Sequence, residues 1–118
     1  MKSILVPTDF SENAANAVEY AAVIAQACKS TITLMTVYTP AVSRFNVISP
    51  LLAEEVAQAK NELTVKLQLT AKTIKELYPD VPCQVFVGTG EIVEEILGAA
   101  KEAEIIIMGT QGASSIEK

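Results

Sequence analysis

The chain contains no histidine. That removes Ser-His-Asp and Cys-His nucleophile chemistry, together with every zinc site built on imidazole. Aspartate is nearly as scarce, with Asp9 and Asp80 alone, too few for a carboxylate-rich metal cluster. The two cysteines, Cys28 and Cys83, stand in no CxxC spacing. Both fall on faces expected to be buried, which reads as free thiols of a reducing compartment rather than as a disulfide. No apolar run approaches the roughly 20 residues of a membrane helix. Lys2 before Ile4-Leu5-Val6 begins like a secretory leader, but Pro7 and Asp9 end the apolar run too early. A cytoplasmic location is the resulting expectation. Positive charge is also short: nine Lys and Arg against 14 Asp and Glu leave a net −5, and the basic residues are scattered. Non-specific nucleic-acid binding needs clustered cations to replace phosphate counterions, so it is not expected.

What is there suffices for a folded domain. Half of the 118 residues are hydrophobic, enough for one core, and residues 1–118 read as a single domain. Strand and helix signals alternate along the chain. Lys2 to Pro7 is a short apolar strand closed by proline. Glu12 to Cys28 carries Ala14, Val18, Ala21, Ala25 and Cys28 at steps of three or four, one face of a helix. That face is mostly alanine and allows a close approach to whatever it covers. Thr31 to Val37 is rich in β-branched residues and reads as a second strand.

After a loop over 38–46, Ser49-Pro50 offers a cap hydroxyl before a first-turn proline. The stripe Leu52, Val56, Ala59, Leu63, Leu67, Ile74 and Leu77 carries a long helix to Pro79. Pro82 to Val87 is a third strand and Gly88-Thr89-Gly90 a turn. Residues 91–102 form a third helix around Ile92, Val93, Ile96 and Leu97, whose Glu91, Glu94 and Glu95 read as its start and solvated face. Ile105 to Met108 is a fourth strand, apolar on both faces as in a covered parallel sheet. The order β-α-β-α-β-α-β with right-handed crossovers implies a doubly wound, Rossmann-like three-layer sandwich. Ligands in such folds sit beyond the carboxyl ends of the strands.

Two loops there carry chemistry. Gly109-Thr110-Gln111-Gly112, followed by Ser114 and Ser115, lies between a strand and a helix start. Glycines let the backbone curl, and its N–H groups with nearby hydroxyls suit a phosphate. The plainer reading is a strand-to-helix turn with Ser114 as the cap. Asp9, directly after the first strand, can accept hydrogen bonds from ribose hydroxyls or an adenine amino group, or help hold Mg²⁺; alternatively Asp9 or Ser11 simply caps the first helix. Gly88-Thr89-Gly90 is no dinucleotide fingerprint, because Val93 stands where a third glycine belongs. There is no GxxxxGK[ST], so the chain is no P-loop protein.

Ile4-Leu5-Val6-Pro7-Thr8-Asp9-Phe10-Ser11 together with Ile107-Met108-Gly109-Thr110-Gln111-Gly112 resembles the universal stress protein family, and the elements between them occur in matching order. The resemblance implies an adenine-nucleotide-hydrolase-like parallel sheet in the order 3-2-1-4-5, of which this chain reaches 3-2-1-4. That order sets strands one and four side by side, so Asp9 and Gly109 would flank one crevice.

The ATP-binding branch has two glycines three apart, matched by Gly109 and Gly112, and a later Gly-Ser or Gly-Thr that would fall beyond Lys118. By resemblance, Pro7, Thr8 and Asp9 would edge adenine and ribose, and the Val37 backbone would bond the adenine beside Met108. Thr110, Gly112, Ser114 and Ser115 would hold phosphates, and Asp9 could contribute to Mg²⁺. Gln111 stands where relatives often carry a positive charge. The resemblance further implies that a fourth helix and fifth strand are missing, and with them the strand through which members pair as homodimers or tandem domains. The fourth strand would then be a bare apolar edge. The expected function is a stress-response module that binds ATP with little or no turnover. The alternatives are a scaffold acting through protein contacts and a slow Mg²⁺-dependent ATPase.

Overall fold

The computed structural model describes residues 3–40 and 50–109, with side chains of the second block from 53 onward. The elements run β1 (Ser3–Pro7), α1 (Glu12–Cys28), β2 (Thr31–Tyr38), α2 (Pro50–Leu77), β3 (Cys83–Thr89), α3 (Ile92–Ala100) and β4 (Ile105–Ile106). The four strands form one parallel sheet in the order β3-β2-β1-β4. The expected doubly wound α/β architecture is present.

Alternation along each strand divides the core. Ile4 and Val6 of β1 and Ile32 and Leu34 of β2 face α1 and α2, where they meet Val18, Ala21, Ala25, Leu67, Ala71 and Ile74. All are buried, and the small α1 alanines let that helix lie close to the strands. Leu5 and Met35 point to the opposite face and are also buried. The β3-to-β4 crossover lays α3 against β1 and β2 there, since right-handed connections in opposite directions cover opposite faces. Each described helix start is locally specified where its cap can be seen. Ser11 Oγ accepts from Ala14 N–H at 3.2 Å. The Glu91 carboxylate accepts from the N–H groups of Val93 and Glu94, both at 3.1 Å, so Glu91 is a cap rather than part of the helix.

Several expectations need correction. Cys28 is exposed, not buried: as the last residue of α1 it lies past the stretch that covers the sheet. Ala17 and Ala22 join the buried side instead. Leu77 is exposed on the closing turn of α2. Strand β3 runs two residues further than expected, because Val37 and Tyr38 of β2 still pair with Gly88 and Thr89. Strand β4 is shorter, and its Ile105 and Ile106 are 41% and 43% exposed. It pairs with β1 alone among the described residues, so it is an edge strand rather than one covered on both faces. The stripe Ile92, Val93 and Leu97 of α3 also stands largely in solvent. Ser49 and Gln111 lie outside the described residues.

Candidate functional site

The carboxyl ends of β1, β2 and β4 converge on a cleft of about 220 Å³. Pro7, Thr8 and Asp9 enter from β1, Met35, Thr36 and Val37 from β2, and Met108 and Gly109 follow β4. The amino-terminal aspartate and the late glycine thus meet in one cleft, because β1 and β4 are neighbours in the sheet. Five of the residues singled out in the sequence (Pro7, Thr8, Asp9, Val37, Met108) and Gly109 come together here. Thr110, Gly112, Ser114 and Ser115 lie outside the described residues. The Gly88–Gly90 turn does not line the cleft. Its groups are spent on the end of β2, with Gly90 N–H donating to Tyr38 O at 3.0 Å and Thr39 Oγ1 donating to Gly90 O at 2.7 Å.

Ala14, Met35, Thr36, Ile92 and Ile96 also line the cleft and were not among the expected site residues. Ile92 and Ile96 lie one helical turn apart on α3, so a search for apolar i, i+4 pairs on the crossover helix would have found them. Met35 shares the α3-facing side of β2 with Val37, two residues on. The apolar side chains make this a largely hydrophobic slot with few polar groups, the usual composition of a small-molecule site.

Val37 supplies polar groups from the main chain. In a parallel ladder the N–H and C=O of one residue point to the same side, alternating along the strand. Met35 O accepts from Thr8 N–H at 2.8 Å, so Met35 faces β1, and Val37, two residues on, faces the same way. The last β1–β2 pair is Pro7 with Met35. Beyond it β1 turns away, and among the described residues no partner takes Val37 N–H or C=O on that side.

Asp9 sits at the rim, exposed. Its Oδ1 accepts from Ser11 N–H at 3.0 Å. The Ser11 hydroxyl, then the Ser11 N–H, hold its carboxyl below the ordinary 3.8, with slight burial opposing, so it is anionic at neutral pH. Both plain readings of this loop therefore hold in part: Ser11 caps α1, and Asp9 braces the cap while keeping a carboxylate on the cleft. Gly109 closes the other side. A Cβ there would stand 2.7 Å from the carbonyl carbon of Asn13 and 2.8 Å from Ala14 N. Only glycine lets this strand end lie directly on the first turn of α1.

Comparison with known proteins agrees with this architecture. A universal stress protein, UspA from Lactobacillus plantarum, superposes with a TM-score of 0.63 at 25% identity, over 93% of this chain and 79% of that one. A universal stress family protein from Burkholderia pseudomallei matches at 18% identity and a TM-score of 0.56, over 97% and 85%. A universal stress protein solved in complex with cAMP matches at 19% identity and a TM-score of 0.65, over 89% and 69%. No curated protein sequence matches. The family model of the universal stress proteins, however, matches residues 1–118. With the strand order and the shared cleft of Asp9 and Gly109, that match over the whole length means that the chain belongs to the universal stress protein family.

Proposed function

We propose that this chain is a regulatory module that binds an adenine nucleotide, ATP foremost, at the carboxyl ends of β1, β2 and β4, with little or no turnover. The observation that carries the reading is the open main chain of Val37. Its N–H and C=O form an adjacent donor and acceptor, the complement of adenine N1 and its 6-amino group. Guanine has an acceptor at O6 and a donor at N1, the reverse pattern, and would meet like with like.

The remaining groups fit a nucleotide. Met35, Ile92, Ile96 and Met108 would flank the base, and Pro7 and Thr8 would edge it. Asp9 would accept from the ribose hydroxyls. Phosphates would run past Gly109 toward Thr110, Gly112, Ser114 and Ser115, with Asp9 at most one ligand to an accompanying Mg²⁺. The relative in complex with cAMP supports the ligand class.

Low turnover follows from the lining. Asp9 is the one ionisable side chain among the described residues of the cleft, and a carboxylate with a lowered pKa is a weak general base. A second reading, a scaffold that binds proteins and no nucleotide, is favoured by the exposed α3 stripe of Ile92, Val93 and Leu97.

Thermal unfolding with ATP, AMP and GTP separates the two. At a hundredfold excess over Kd, ATP should stabilise the chain by about 2.7 kcal/mol, with GTP far behind and Asp9→Ala blunting the gain. Equal responses to ATP and GTP, or none to either at millimolar concentration, would sink the nucleotide reading.

A further inference from the structure

Phe10 holds a strained backbone beside the cleft. Its φ is 64°, in the left-handed region that a bulky L-residue rarely enters. The other non-glycine residue at positive φ among the described residues, Lys29, is the C-cap of α1, where this conformation is routine. Phe10 has no such excuse. It lies between Asp9 and the N-cap Ser11, and something must outweigh the cost of its conformation.

Three contacts do so. Phe10 N–H donates to Thr8 Oγ1 at 3.0 Å. The ring is half-buried and packs against the core cluster, and it borders the groove between α1 and the later turns of α2, which Thr70, Ile74 and Tyr78 also line. On α2, Lys66 Nζ stands 5.3 Å from the ring centroid, within cation–π range. The left-handed turn at residue 10 then brings Ser11 N–H back onto Asp9 Oδ1. A different backbone conformation at residue 10 would reorient the Ser11 N–H and with it the Asp9 carboxylate that it braces.

We propose that Phe10 is a positioning residue: its ring, anchored in the α1–α2 groove beneath Lys66, holds residue 10 left-handed and thereby aims the Asp9 carboxylate into the cleft. The aim matters for ligand binding only on the nucleotide reading above, but the anchoring of the loop does not depend on that reading.

Two substitutions in the full chain separate anchor from backbone. Phe10→Ala removes the ring and keeps the left-handed penalty; Phe10→Gly removes both. Both should lower Tm through lost packing. Phe10→Ala should weaken ATP binding about tenfold, the population equivalent of the left-handed penalty, and speed hydrogen exchange of the Ser11 amide. Phe10→Gly should keep affinity within about threefold and keep that amide protected. In an Asp9→Ala background, Phe10→Ala should cost no further affinity. Equal losses for the two Phe10 variants, or a Phe10→Ala penalty that persists without Asp9, would overturn the proposal. If the wild-type chain binds no ATP, the nucleotide reading fails, and Ser11 exchange in the two variants still decides whether Phe10 anchors the loop. Should Phe10→Ala not fold, Phe10→Leu, which keeps apolar burial but gives up the Lys66 contact, should show a smaller change in the same direction, and no change would count against the proposal.

Discussion

The two thiols differ in what surrounds them. Burial raises the Cys83 pKa from its ordinary 9.0 to about 11, while the nearby charge of Lys75 pulls weakly the other way. Cys83 is therefore a thiol at neutral pH, and the thiol is not the nucleophilic form. Cys28 is exposed at the end of α1. Iodoacetamide at pH 8 should label Cys28 well ahead of Cys83 in the native protein, as read by peptide mass spectrometry; equal labelling would contradict this account. The sign for stability follows. A raised folded pKa favours the fold fully below about pH 9, and that contribution is lost as pH rises toward 11. The decline in urea midpoint over that range should be shallower in Cys83→Val. A helical period alone set Cys28 inside. It could not show that α1 has already left the sheet at its last residue, because a stripe marks a face and not how far that face is covered.

Between elements, Gly109 lies close against the first turn of α1. A Cβ added there would stand 2.7–2.8 Å from the backbone of Asn13 and Ala14, which cannot swing aside as a side chain would. Gly109→Ala should therefore cost about 1–3 kcal/mol, the usual range for overpacking, seen as a lower urea midpoint at unchanged slope. Gly98 is the control: it lies inside α3, and an added Cβ meets nothing within 4 Å. Gly98→Ala should leave stability unchanged or raise it by up to about 1 kcal/mol. Equal effects at the two positions would show that the close approach is not what glycine serves at 109. The need for glycine there was legible as a curl beside a strand end. That its immediate neighbour is the start of α1 was not, since the contact spans most of the chain.

At the scale of the whole molecule, the sheet is unevenly covered. The α1–α2 side is sealed by Val18, Ala21, Leu67 and Ile74, while on the β4 side Ile105 and Ile106 stand along an edge that no other strand covers among the described residues. An exposed apolar edge strand is a template for pairing with another chain. Sedimentation velocity should show association that grows with concentration, and Ile105→Lys should reduce it without loss of the far-ultraviolet helical signal. Unchanged association in the variant would move the contact elsewhere, with the exposed face of α3 as the next region to substitute.

Element order, strand direction and the doubly wound class were determined by local pattern, because β-branched runs, apolar periods and turn residues act within a few positions of themselves. Asp9 and Gly109 were marked as cleft residues by lying at strand ends, and the strand order then had to bring them together. Val37 was named beforehand by the family resemblance alone; its main chain is open among the described residues because β1 ends at Pro7. Tertiary structure alone decided the other groups around the cleft: Ile92 and Ile96 become walls because the crossover lays α3 there, and Phe10 is strained because α2 holds its ring. Each of these depends on where a distant segment packs, and no local pattern carries that distance.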